Sequence, residues 1–115
     1  MSVERKWAFR IEHILAAIAK IQRYTQGMTE ESCAADERTV DAVIRNFQII
    51  GEAARHVPRD IQVRYHDIPW SLMQGMRHVL VHGYDMVKLE IVWRTIQVEL
   101  PPLLGPLQNV LKENS

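Results

Sequence analysis

The chain has 115 residues, of which 47% are hydrophobic and 24% charged, with fourteen basic and fourteen acidic residues. This length and composition are typical of a single globular domain over residues 1–115, and they exclude an intrinsically disordered chain. The zero net charge counts against nonspecific nucleic-acid binding over the whole surface, although ten of the cations are arginines, which suit local phosphate contacts.

The first part of the chain repeats apolar residues at helical spacing from Trp7 to Ile21, while charged residues fall on the other faces. This pattern predicts a long amphipathic helix that ends near Gly27. The stretch 28–36 is short and polar, and it predicts a loop. Asp36 at its end is a typical N-terminal cap for a second helix, because its carboxylate can accept a hydrogen bond from a free backbone N–H.

The second predicted helix follows Asp36 and is ended by Pro58. Glycine lowers helix propensity, so Gly51 within the apolar stripe predicts a close crossing with another helix. Glu52 lies beside the stripe, and it is either a buried carboxylate that orients a site residue or the exposed edge of the helix. The stripe consists of Val40, Val43, Ile44, Phe47, Ile50, Gly51 and Ala54.

A third helix is predicted from about Pro69 to His82, after a connector at residues 59–67 that contains a short helical turn. Proline suits the first helical position, and Gly83 suits the left-handed residue that ends many helices. The side chains of this helix that we expect to point inward are Met73, Met76 and Leu80.

The fourth helix, capped by Asp85, has two apolar faces, whereas an outer helix of a monomer needs only one. The second face therefore predicts contact with another chain, as in a homodimer. Pro101-Pro102 and Gly105-Pro106 are expected to break or kink the chain, and a last short helix is expected over residues 107–112. The first face comprises Leu89, Val92, Trp93, Ile96 and Leu100, and the second comprises Val87, Ile91 and Val98.

These elements together predict an all-α, up-and-down bundle of four to five helices. The single cysteine, Cys33 in the predicted polar loop, excludes an intramolecular disulfide and a cysteine-based zinc site. The apolar run 14–19 is too short for a signal peptide or a membrane span. We therefore expect a cytoplasmic protein that does not associate with a membrane.

The segment from Arg77 to Tyr84 combines a permanent cation, the imidazoles of His78 and His82, and a phenol. An arginine can bind a phosphate and stabilise the extra charge of a phosphorane transition state. A histidine can accept or donate a proton at neutral pH. These two functions suffice for attack of a ribose 2′-hydroxyl on its own 3′-phosphate, and they need no metal.

The spacing also has simpler structural explanations. Arg77 can compensate a helix dipole, His82 with the following glycine can be a helix stop, and Tyr84 can be a half-buried packing residue. On an uninterrupted helix Arg77 and His82 diverge by about 140°, so a site that uses both needs a distorted helix end or two chains. A zinc site at His78 and His82 is disfavoured, because Val79 stands where the protease signature has glutamate.

The pattern arginine, four residues, histidine, one residue, tyrosine resembles that of the HepT-type toxins, which are minimal members of the HEPN superfamily. Arg77, His82 and Tyr84 occupy its three positions. The stretch Asn46–Ala53 is similar to the second-helix signature of that family. The resemblance extends to Pro69-Trp70, Met76-Arg77, Val92-Trp93 and Leu100-Pro101, and it covers residues 5–104.

The resemblance implies a helical bundle that dimerises and places the arginine and histidine of both subunits in one cleft. It also implies a metal-independent endoribonuclease without a cofactor, acting as the toxin of a toxin–antitoxin pair. The implied partners are RNA and a nucleotidyltransferase-fold antitoxin, which in related systems blocks the site by AMPylation of the motif tyrosine, here Tyr84. The family often has asparagine after the motif arginine, whereas this chain has His78.

We therefore hypothesise a homodimeric ribonuclease toxin in which Arg77 and His82 are catalytic. His78, Tyr84 and Glu52 are expected to support the site or contact RNA. Two alternatives stay open: a non-catalytic binding partner of a nucleotidyltransferase, and a nucleotide-binding helical protein without ribonuclease activity.

Overall fold

The computed structural model describes residues 6–78 and 89–115, and within these ranges the chain is helical and contains no strand. Two long helices, α1 and α3, form the centre, and the shorter helices pack around them. The helices are α1 (Ala8–Thr25), α2 (Glu30–Ala34), α3 (Glu37–Arg55), α4 (Arg59–Arg64), α5 (Trp70–Gly75), α6 (Leu89–Arg94) and α7 (Leu104–Glu113), with a π-helical turn at Thr95–Glu99 and a 3-10 turn at Pro101–Leu103.

Helix α1 confirms the amphipathic helix predicted from the periodicity. It ends at Thr25, and Gly27 follows with a positive φ of 78°, which glycine adopts without strain. The buried face packs against α3 and α7. Complete burial of one such aliphatic side chain stabilises the fold by about 1.5–3 kcal/mol. The fully buried members of this face are Ile11, Ile14, Ile18 and Ile21.

The loop predicted at 28–36 is wrong, because residues Glu30–Ala34 form the short helix α2. Its start is fixed by a capping box in which Ser32 N–H donates to Thr29 Oγ1 at 3.0 Å and Thr29 N–H donates to Ser32 Oγ at 2.9 Å. Cys33 lies on the inner face of α2 and is buried. Burial, together with the nearby Asp36 carboxylate, raises the pKa of its thiol, so Cys33 is a packing residue.

Helix α3 begins as predicted, with Thr39 N–H donating to Asp36 Oδ1 at 3.2 Å. Six of the seven residues of the predicted apolar stripe are buried. The exception is Ile44, which is half-buried. The helix ends at Arg55, and Pro58 then precedes α4, which confirms the predicted short helical turn in the connector.

A hydrogen bond joins the start of helix α5 to the connector that precedes it. Trp70 Nε1 donates a hydrogen bond to the Tyr65 carbonyl oxygen at 3.1 Å, at the start of the helix. Met73 and Met76 point inward as predicted and are almost completely buried. Pro69 precedes the first helical residue by one position. Helix α5 packs against α3.

The last part of the chain bends where proline removes backbone donors. Leu100 N–H donates to the Thr95 carbonyl at 2.9 Å, five residues back, immediately before Pro101 and Pro102. This confirms the expected break. Gly105-Pro106, in contrast, lies inside the first turn of α7, where a missing N–H costs little, and the last helix is longer than predicted.

The fourth predicted helix has the two faces expected of it. Val92, Ile96 and Leu100 are buried, while Ile91 and Val98 are about half exposed, at 51% and 47%. In the described ranges, no helix is both long and apolar enough to cross a membrane. The predictions for Leu80, Gly83, Asp85 and Val87 lie outside the described residues.

Candidate functional site

Gly51 of α3 lies directly against the backbone of Arg77. A Cβ atom at this position would lie 2.8 Å from the backbone nitrogen of Arg77 and 2.9 Å from its Cβ. Such distances are shorter than van der Waals contact, so the crossing requires glycine. This confirms the predicted role of Gly51, and it places Arg77 directly on α3.

Arg77 itself lies in a turn, so the predicted uninterrupted helix from Pro69 to His82 is wrong at this residue. Helix α5 ends at Gly75, and Arg77 N–H donates at 3.4 Å to the Gln74 carbonyl, three residues back. Hydrogen bonds of this spacing tighten the last turn and change the direction of the following side chains. Arg77 therefore lies beyond the last residue of α5, in the turn that follows it.

The guanidinium of Arg77 is paired with Glu52, one residue beyond the crossing. Arg77 Nη1 lies 3.4 Å from Glu52 Oε1, and the two side chains are 35% and 49% exposed. Glu52 is therefore not the buried carboxylate considered above, but it does contact the predicted site arginine. An exposed pair of this kind contributes little stability, and its main effect is to hold the arginine in one orientation.

Glu52 also forms ion-pair contacts with two residues near the end of α3. Its Oε2 lies 3.4 Å from Arg55 Nη2 and 3.4 Å from His56 Nδ1. Burial acts to raise the pKa of Glu52, but the hydrogen bond from Arg55 and the positive charges of Arg55, His56 and Arg77 outweigh it and lower the pKa below its usual value. The carboxylate is thus ionised at neutral pH, and Arg77 shares it with two other groups.

Arg77 and Glu52 form one end of an open groove between α1 and α3, with a volume of about 420 Å³. We call it the cationic groove. Three arginines and one histidine face a single carboxylate there, so its charge differs from the zero net charge of the chain. Its lining residues are Arg10, His13, Arg45, Gln48, Ile49, Glu52, Ala53 and Arg77.

The other predicted site residues are only partly covered by the structure. His78 follows Arg77 directly and is exposed. His82 and Tyr84 lie outside the described residues, so their predicted roles stay predictions. Among the described ranges 6–78 and 89–115, no group of three or more His, Cys, Asp or Glu side chains could hold a metal ion. The His78–His82 zinc alternative includes a residue beyond those ranges.

The sequence analysis missed three groove residues, Arg10, His13 and Arg45. Each is a polar residue on an amphipathic helix, with no motif around it. His13 is exposed, and it shares the groove with Arg10 from the same helix and with Arg45 from α3. The available signal was their spacing, because Arg10 and His13 lie on one face of α1, as do Arg45, Gln48 and Glu52 on α3.

The described part of the site can bind an anion. The Arg77 guanidinium is partly exposed, is oriented by a carboxylate, and faces a groove with two further arginines. Arginine presents several N–H donors in a planar fork that matches phosphate geometry. A phosphodiester at this end of the groove would therefore meet a fixed cation.

The family model and the related proteins that match this chain indicate the same family. The family model described as "Ribonuclease HepT-like" matches residues 14–110. A protein of Thermococcus cleftensis named "Probable ribonuclease HepT" is 35% identical over 102 residues, which cover 89% of this chain and 93% of that protein. No solved structure matches the chain at a significant level.

Two further relatives carry similar names. A "Putative RNase" of Caldanaerobacter subterraneus is 31% identical over 103 residues, covering 90% of this chain and 92% of that protein. A "Gamma-glutamylcyclotransferase and putative RNase" of Methanocaldococcus jannaschii is 33% identical over 103 residues, which cover 90% of this chain but 46% of that longer protein. The similarity in each case spans the helices that form the cationic groove.

Proposed function

This chain belongs to the HepT-like ribonuclease family, and from this premise we propose that it is a metal-independent endoribonuclease with Arg77 and His82 as catalytic residues. The observation that carries the proposal is the position of Arg77. It is held on α3 by the Gly51 crossing, oriented by Glu52, and turned toward a groove rich in cations.

In the proposed reaction the ribose 2′-oxygen attacks the adjacent phosphorus, and the bond from phosphorus to the 5′-oxygen breaks. His82 either accepts the 2′-hydroxyl proton as general base or donates a proton to the leaving 5′-oxygen as general acid, and water accepts or donates the proton of the other transfer. Arg77 binds the scissile phosphate and stabilises the added negative charge of the transition state. The products are a 2′,3′-cyclic phosphate and a 5′-hydroxyl, and His78 supports the site or shares the proton transfers.

Purified protein, shown by intact mass to be unmodified, is expected to cleave bulk cellular RNA in excess EDTA and to leave 2′,3′-cyclic phosphate ends. The His82→Ala protein is expected to be inactive, because it retains the phosphate-binding arginine but lacks the proton-transfer group. Cleavage products separated on a denaturing gel and tested for cyclic phosphate provide the measurement. An inactive wild-type protein would favour a non-catalytic partner of a nucleotidyltransferase, and nucleotide binding without cleavage would favour the second alternative.

We also propose that the protein acts as a homodimer through an apolar groove between α3, α5 and α6. Leu72 and Ile91, exposed by 37% and 51%, lie on this groove, and Val98 with 47% exposure continues the same face of the chain. Met76, the neighbour of Arg77, also lines it. A second chain seated there would lie close to the turn that carries Arg77, which agrees with a site built from two subunits.

The Ile91→Asp variant is expected to weaken dimerisation at least about 100-fold, because an unpaired carboxylate would be buried in an apolar interface. The matched control is Val63→Asp, since Val63 is exposed by 58% on α4 and does not line this groove. Sedimentation velocity at several concentrations measures the change. RNA cleavage per chain should fall together with the dimer fraction. Dimerisation of Ile91→Asp equal to that of Val63→Asp would rule out this interface.

As a cellular role we propose that the protein is a cytoplasmic toxin whose partner is a nucleotidyltransferase-fold antitoxin. AMPylation of Tyr84 would place anionic groups within the catalytic motif and repel the RNA backbone from Arg77. Support for this role comes from the family membership and the Arg-x4-His-x-Tyr motif. Intact mass of the protein co-expressed with a nucleotidyltransferase-fold protein tests the modification: an unchanged mass, or an increase that persists in Tyr84→Phe, would contradict it.

A further inference from the structure

We propose that the cationic groove binds the RNA backbone beside the scissile bond, with Arg10 and Arg45 contacting the phosphates of flanking nucleotides. This inference rests on the proposed ribonuclease function and extends it to residues outside the catalytic motif. It concerns substrate binding on α1 and α3, whereas the motif residues lie after α5.

The groove continues along α3 from the end that holds Arg77. Arg45 and Glu52 are seven residues apart on α3, which corresponds to about 10 Å along the helix axis. Arg10 and His13 form the opposite wall, and Ile49 and Ala53 provide an apolar floor. A strand whose scissile phosphate lies at Arg77 would therefore extend past Arg45 and Arg10.

The charges of the groove are available to an anion. Within the described residues, no carboxylate lies within ion-pair distance of Arg10 or Arg45. The one carboxylate of the groove, Glu52, is already shared by Arg55, His56 and Arg77. Two arginines on facing helices thus add positive charge to the groove of a neutral chain, and nothing in that part of the chain neutralises it.

Phe9 holds Arg10 at the edge of the groove. The Arg10 guanidinium carbon lies 4.5 Å from the centroid of the Phe9 ring, and the ring also makes an edge-to-face contact with His13 at 5.3 Å. Stacking occupies the face of the guanidinium and leaves its in-plane N–H donors available for a phosphate. Phe9 is 42% exposed, so it is not needed to fill the core. We assign it as a positioning residue for Arg10.

Phosphate contacts position a nucleic acid without reading its sequence. Loss of Arg10 and Arg45 should therefore weaken binding of all RNA sequences to a similar degree, and it should raise the KM for cleavage while leaving kcat nearly unchanged. The salt dependence should also change, because each lost phosphate contact on a single strand lowers the slope of log K against log salt by about 0.7.

The test compares Arg10→Gln/Arg45→Gln with Arg64→Gln, which removes an exposed arginine of α4 outside the groove. A fluorescent twelve-nucleotide oligouridylate is titrated with each variant in a His82→Ala background, in EDTA, from 50 to 200 mM KCl. We expect the double variant to bind about tenfold or more weakly at low salt, with a slope reduced by about 1.4. Arg64→Gln should stay within twofold of its parent, and Phe9→Leu should give a smaller loss than the double variant.

Kinetics in the His82 wild-type background give a second, independent measurement. A raised KM with little change in kcat for Arg10→Gln/Arg45→Gln supports the inference. If the wild-type protein cleaves RNA while the double variant equals Arg64→Gln in affinity, salt slope and KM, the groove assignment is wrong and the ribonuclease function stands. If the wild-type protein neither binds nor cleaves RNA, the proposed function fails, and the groove assignment fails with it.

Discussion

Replacement of Arg77 with alanine is expected to lower kcat/KM for RNA cleavage by about 10²- to 10³-fold, which is the usual cost of removing one preorganised transition-state contact. The effect should be mainly on kcat, since the charge that Arg77 stabilises is largest in the transition state. Stability should change little, because the Arg77 side chain is 35% exposed and Glu52 keeps Arg55 and His56 as partners. Initial rates and thermal unfolding of the same preparation measure both quantities.

Arg77→Lys is the matched variant for this prediction. Lysine keeps the positive charge but lacks the planar fork, so we expect it to restore only a minor part of the lost activity. Mixing Arg77→Ala with His82→Ala also tests the dimeric site, because a mixed dimer regains one intact Arg–His pair if the two residues act across subunits. Activity of Arg77→Ala equal to wild type would remove Arg77 from the catalytic residues.

Substitution of Gly51 by alanine is expected to reduce cleavage about 100-fold and to lower stability. The added Cβ would lie 2.8 Å from the backbone nitrogen of Arg77, so either α3 or the turn after α5 must move. A displacement of about 1 Å at a catalytic group can cost about 10²-fold in rate. Overpacking costs about 1–3 kcal/mol, and the gain in helix propensity offsets roughly 1 kcal/mol of it.

Gly105→Ala is the control, because Gly105 also lies in a helix but a Cβ there would meet nothing within 4 Å. This variant should be as active as wild type, and its stability should change by less than about 1 kcal/mol, because the gain in helix propensity is opposed by contact between the new Cβ and the ring of Pro106. Urea denaturation and RNA cleavage of the two variants, compared at a temperature where both are folded, separate displacement of Arg77 from general unfolding. If Gly51→Ala behaves like Gly105→Ala, the crossing does not position the site.

Prediction from the sequence succeeded for features that are set by residues close together in the chain. The periodicity of α1, the Asp36 cap, the proline bends and the buried methionines of α5 depend on residues a few positions apart, and the structure confirms each of them. It failed at α2, because the polar composition of 28–36 hid a capping box and one inward-facing cysteine. Such short helices depend on single hydrogen bonds, which periodicity does not detect.

The sequence by itself determined an all-helical chain, the family to which it belongs, and Gly51 as the site of a close crossing. Only the tertiary structure decided which residues surround Arg77. The pairing with Glu52 and the groove with Arg10 and Arg45 join residues from separate helices, and α5 ends before Arg77. These relations depend on how α1, α3 and α5 pack, because burial of their apolar faces sets which polar faces meet.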